Sequence, residues 1–120
     1  MAKILIVDDE PLTVDILSSL LHLRGHTSIK AHSVRQALDS LASEKPDAIL
    51  LDVMLPDGNG LDLCKQLRTV AKWDAVPIII NSACGMSRTS DAQAVGADEY
   101  LPKPIRHDAL WDTLSKFNIA

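Results

Sequence analysis

Seven residues stand out because of where they fall. Asp8 and Asp9 follow the apolar run Ile4–Val7, and Asp52 follows Ala48–Leu51. Asn81 and Ser82 follow the run at 77–80, and Lys103 with Pro104 comes just after Asp98–Leu101. If these runs lie side by side, Asp8, Asp9 and Asp52 share one edge. Ionised carboxylates held together raise one another's pKa, so the group calls for compensation. A hard divalent cation with oxygen ligands supplies it; Mg²⁺ is the usual case, and Mn²⁺ is the substitute to test. Three carboxylates, one divalent ion and the Lys103 ammonium sum to zero formal charge. A carboxylate is a workable nucleophile toward phosphorus, and phosphoryl transfer needs mainly positioning and charge neutralisation. A phosphoryl group on Asp52 replaces one negative charge by about two. The site then becomes net negative by about one unit, which can draw in a hydroxyl such as that of Ser82.

The elements that must position these residues are legible as alternation. Five apolar runs, Lys3–Val7, Thr27–His32, Asp47–Leu51, Val76–Ile80 and Asp98–Leu101, read as strands. The first, third and fourth are continuously apolar, as central parallel strands covered on both faces should be. Helical patterns fill the gaps. Between Pro11 and Arg24 the stripe Thr13, Ile16, Leu17, Leu20 and Leu21 follows helical spacing, with Pro11 suited to the first turn and Gly25 to the C-terminal end. Val34–Ser43, capped by Ser33, and Asn59–Lys72, with Leu63, Cys64, Leu67 and Val70 or Ala71, repeat the pattern. Arg106–Asn118 forms the last helix through Leu110, Leu114 and Phe117, and Ser87–Val95 is the weakest helical segment. The expectation is an α/β fold, a doubly wound five-stranded parallel sheet in order 2-1-3-4-5 with five helices. In such sheets the site lies beyond the carboxyl ends of the strands, where the singled-out residues fall.

Composition agrees. The 120 residues, 47% of them hydrophobic, suit one domain with a core of Leu, Ile, Val and Ala, since aromatic residues make up only 3%. The net charge of −4 argues against direct nucleic-acid binding. No apolar run reaches the roughly 18 residues of a membrane span. Cys64 and Cys84 form neither a disulfide framework nor a zinc motif, which fits a reduced, cytoplasmic setting.

Four motifs, ILIVDDEP (Ile4–Pro11), LLDVMLPDGNGLDLC (Leu50–Cys64), PIIINSA (Pro77–Ala83) and GADEYLPKP (Gly96–Pro104), occur in this order. Together they resemble the receiver domain of bacterial two-component response regulators, over Lys3 to about Phe117. The resemblance implies a flavodoxin-like, CheY-like fold with Asp52 as phosphoacceptor. It implies Mg²⁺ on Asp8, Asp9, Asp52 and the main-chain carbonyl of Met54, with Ser82 and Lys103 on the phosphoryl group. Tyr100 would be the switch aromatic that turns inward on activation, and the Lys103–Pro104 peptide would be cis. The implied donor is a sensor histidine kinase or a histidine phosphotransfer protein; the downstream partner stays unnamed, and phosphorylation-dependent dimerisation is an open option. The domain would promote its own phosphorylation and dephosphorylation without being a dedicated enzyme. The expected span is one receiver domain, 1–120, with no effector domain.

Asn81 stands where this family usually has an aliphatic residue. Met54 and Cys84 stand where side chains tune phosphoryl lifetime in the family. His22, His26, His32 and His107 read as surface or core residues rather than ligands. Leu12, Val14 and Leu23 fall off the first helix's stripe, and Leu12 with Val14 is a candidate kinase-docking patch. Taken alone, Asp8-Asp9 reads equally as a helix-capping turn; Asp52 and Lys103 in register favour the metal site. The alternative is a non-phosphorylated interaction module of the same fold, which should have lost members of this set. A phosphatase working through an aspartyl phosphate would carry a second Asp where Met54 stands.

Overall fold

The computed structural model describes residues 1–83 and 87–119. Its strands are β1 (Lys3–Val7), β2 (Thr27–Ala31), β3 (Ala48–Asp52), β4 (Met54–Leu55), β5 (Gly58–Asn59), β6 (Ile78–Ser82) and β7 (Glu99–Pro102). Its helices are α1 (Pro11–Leu23), α2 (Val34–Ser43), α3 (Gly60–Leu67), α4 (Ser87–Ala94) and α5 (His107–Ser115), with a 3₁₀ turn at Ala71–Trp73. The main sheet runs β2-β1-β3-β6-β7, and its pairings are all parallel. This is the expected order once β4 and β5 are set aside; those two form a small antiparallel ladder in the loop after β3.

Pleat alternation divides the core. Leu5, Val7, Ile49, Leu51, Ile78 and Ile80 pack on one face with α2 and α3. Ile4, Ile6, Ala48, Leu50, Ile79 and Leu101 pack on the other with α1 and α5. The central strands β3 and β6 are buried along their whole length, which is why they are apolar at both parities.

Several boundaries and one stripe correct the sequence reading; the second strand ends at Ala31 rather than His32, and the last spans Glu99–Pro102 rather than Asp98–Leu101. The fourth strand of the parallel sheet starts and ends two residues later than expected, so Asn81 and Ser82 lie inside it. Asp52 closes β3 rather than following it, and Asp47 stands before that strand, accepting a hydrogen bond from the Lys3 amide at 2.8 Å. The third helix ends at Leu67, because the Arg68 guanidinium turns to bond the carbonyls of Trp73, Val76 and Gly96. The last helix ends at Ser115. In α1 the buried residues are Val14, Leu17 and Leu21, while Ile16 is 49% exposed. Helical spacing allows either stripe; the sheet selects the one centred on Val14, so Val14 cannot belong to a docking patch. Cys64 is buried as expected, and Cys84 lies outside the described residues.

Candidate functional site

The carboxyl ends of β1, β3 and β7 bring the charged groups together. Asp8 directly follows β1, and its side chain is fully buried. The turn into α1 fixes it: Asp8 Oδ1 accepts the Glu10 amide at 2.9 Å, and the Asp8 amide donates to the Ala31 carbonyl at 3.0 Å. Asp9 is exposed beside it, and Asp52 is 5% exposed. One carboxylate oxygen from each of Asp8, Asp9 and Asp52 lies within 4.8 Å of the others.

Lys103 arrives from the far side of the sheet. Its Nζ lies 2.6 Å from Asp8 Oδ2 and donates to Asp52 Oδ2 at 3.1 Å. The ammonium is thus ion-paired with both carboxylates, most closely with Asp8. The Lys103 amide donates to the Ser82 carbonyl at 2.9 Å, and the Lys103–Pro104 peptide is cis. Burial opposes the Lys103 charge, but the Asp8 and Asp52 carboxylates outweigh it and hold the ammonium's pKa above its ordinary value. Burial and the neighbouring Asp8 charge push the Asp52 carboxyl up, against the lowering pull of Lys103 and of the Val53 main chain.

Ser82 and Tyr100 are linked on the opposite face. Ser82 is buried, and the half-buried Tyr100 donates its hydroxyl to the Ser82 carbonyl at 3.4 Å. Met54 is two residues beyond Asp52 with an exposed side chain. The structure thus brings Asp8, Asp9, Asp52 and Lys103 into one cluster and sets Ser82 and Tyr100 next to it through the main chain.

A family model for the response regulator receiver domain matches residues 4–115. The chain belongs to the response regulator receiver family. The response regulator MprA of Mycobacterium avium (strain 104) is 39% identical over 109 residues, which is 90% of this chain and 47% of that protein. The receiver domain described here therefore spans about half the length of the curated relatives it matches. A two-component response regulator of Clostridium difficile superposes with a TM-score of 0.91 at 28% identity, covering 98% of this chain and 96% of that one. The chemotaxis response regulator CheY4 of Vibrio cholerae superposes with a TM-score of 0.90 at 29% identity, covering 98% of both chains.

The acidic cluster fits the metal site of a receiver domain. Its donors are hard oxygens, as Mg²⁺ requires. One of them, Asp8 Oδ2, is buried against the Lys103 ammonium at 2.6 Å, so a bound divalent ion would have to share that oxygen with the ammonium or displace it. With one ammonium against three carboxylates, the cluster also lacks two positive charges.

Several residues that serve this receiver domain escaped the sequence reading. His32 lies one position past β2, and its Nδ1 is 3.1 Å from the Asp8 carbonyl. Asp57 accepts the amides of Val34 and Arg35 at 2.8 and 3.0 Å, tying the loop after β3 to the start of α2. Gly60 lies so close to the Asp52 carbonyl that a Cβ would come within 1.9 Å of its oxygen. His32 carried a usable signal, since it follows a strand as the acids do; Asp57 and Gly60 carried none beyond their turn-rich setting.

Proposed function

We propose that this receiver domain, residues 1–120, is a phosphorylation-controlled switch whose phosphoacceptor is Asp52. The observation that supports it best is the cluster itself: three carboxylates within 4.8 Å, with the Lys103 ammonium between Asp8 and Asp52. Asp8, Asp9, Asp52 and the Met54 carbonyl are the ligands proposed for Mg²⁺, or for Mn²⁺ in its place. The bound ion would neutralise charge on the cluster and on the incoming phosphoryl oxygens. A carboxylate oxygen of Asp52 attacks phosphorus as the bond to the donor imidazole nitrogen breaks, and that nitrogen leaves with the electron pair. Lys103 supplies a fixed positive charge beside the new phosphate. Ser82 offers a hydroxyl to it, and Tyr100 reads the change through its contact at Ser82.

The donor on this reading is a sensor histidine kinase or a histidine phosphotransfer protein in the cytoplasm, and the output is altered partner binding. The domain promotes its own phosphorylation and hydrolysis and turns over no external substrate. The test is intact mass after incubation with acetyl phosphate, with and without Mg²⁺. The expected result is a Mg²⁺-dependent, base-labile gain of one phosphoryl group, absent in Asp52→Asn. Folded protein that gains nothing from acetyl phosphate or from a panel of phosphorylated histidine donors is a binding module instead.

A further inference from the structure

Among the described residues, and leaving aside Asp8 Oδ2 with its ion pair to Lys103, the buried side-chain polar atoms without a partner are both amide atoms of Asn81. Burying an unpaired amide is costly, and an aliphatic side chain would avoid the cost. Asn81 is 1% exposed and sits in the middle of the site's architecture. In register it pairs with Asp52 on β3 and with Leu101 on β7. Asp8, Asp52, Asn81 and Lys103 fall two residues beyond Ile6, Leu50, Ile79 and Leu101, all on the α1 and α5 face, so pleat alternation puts the four on that face. The strand order settles the rest. Lys103 follows β7, yet its Nζ reaches Asp52 on β3 and Asp8 beyond β1, so its stem must cross β6. On that face β6 carries Ile79 and Asn81, and Asn81, the register partner of Asp52, is the one nearer the end of the stem.

We infer that Asn81 is a positioning residue for Lys103: its amide oxygen takes up the ammonium when a divalent cation occupies Asp8. The inference rests on the metal-site reading above. While Asp8 and Asp52 share the ammonium, the amide stands idle. A divalent ion on those carboxylates engages their lone pairs and repels the ammonium over a few ångströms. The ammonium then needs a neutral acceptor within reach of its stem, and Asn81 supplies one. The amide thereby lowers the cost of admitting the metal and keeps the ammonium poised beside Asp52.

Mg²⁺ titration by calorimetry on the wild type, Asn81→Val and Asn81→Thr tests this without any phosphodonor. Val and Thr are both β-branched and suited to a strand, and differ in the oxygen. Asn81→Val is expected to bind Mg²⁺ about tenfold more weakly, and Asn81→Thr to recover most of that loss. The metal-free Asn81→Val protein should melt no lower than the wild type, since it loses only an unpaired amide. In the wild type, Mg²⁺ should shift the NMR signals of the Asn81 side-chain amide well beyond those of Asn118. Equal Mg²⁺ affinity in wild type and Asn81→Val, or an Asn81 amide no more perturbed than that of Asn118, overturns the inference and leaves the metal site standing. A wild type that binds no Mg²⁺ overturns both.

Discussion

At the scale of single residues, the site sets charge against burial. The Asp52 carboxyl has its pKa raised above 3.8 by burial first and by Asp8 second. A carboxyl held above its unfolded value destabilises the fold while ionised. That penalty is complete above the folded pKa and vanishes as the pH falls below the unfolded value. Metal-free Asp52→Asn should therefore melt above the wild type near neutral pH, by several degrees, and the gap should close on acidification. Thermal melts across the acid range check this, and a gap that widens as the pH falls would contradict it. Arg68 is the opposite case, a charge fully employed. Its guanidinium donates to the carbonyls of Trp73 and Val76 at 2.7 and 3.0 Å, to that of Gly96 at 2.8 Å, and to Asp98 at 2.7 Å. Only the planar fork of arginine meets all of these at once. Arg68→Lys should cost about 2 kcal/mol in urea denaturation without changing Mg²⁺ affinity.

At the scale of elements, what matters is how closely the loops press on the strand ends. The start of α3 lies against the last residue of β3: the Gly60 amide donates to the Val53 carbonyl at 2.7 Å, and a Cβ on Gly60 would meet the Asp52 carbonyl carbon at 2.9 Å. Both contacts involve backbone, so Gly60→Ala must displace β3 or α3. A stability loss of about 3 kcal/mol is expected, together with weaker Mg²⁺ binding, because the peptide that moves carries Asp52. Urea denaturation and Mg²⁺ titration of the same variant measure both. Such contacts explain what the sequence could and could not show. The central strands were legible because burial on both faces leaves an unbroken apolar run, and the acids were legible because they interrupt it. The stripe of α1 was not, since Ile16, Leu17, Leu20 and Leu21 satisfy helical spacing as well as Val14, Leu17 and Leu21 do. Which stripe is buried depends on how the helix rolls against β1 and β2, a tertiary fact. The end of α3 depended likewise on Arg68 finding carbonyls five and eight residues on and in a distant loop.

At the scale of the whole molecule, the apolar core runs along the strands whose carboxyl ends carry the charged site, and the proposed metal would couple the two. The core on both faces holds β1, β3, β6 and β7 in register, and that register alone places the Asp8 and Asp52 carboxylates next to one another. An unfolded chain scatters them, so on the proposed reading Mg²⁺ should bind the folded state and stabilise it by mass action. A hundredfold excess over the dissociation constant is worth about 2.7 kcal/mol, and a chain of this length should gain on the order of 10 °C in melting temperature. Asp8→Asn should abolish the gain by removing a buried carboxylate of the proposed site. Lys103→Met should keep or enlarge it, because the ammonium now paired with Asp8 and Asp52 competes with the ion for the same oxygens. Melting curves of the three proteins over a Mg²⁺ series decide the matter. A gain that survives Asp8→Asn would move the metal off this cluster, and a gain lost in Lys103→Met would mean that the ammonium helps to build the site rather than competing for it.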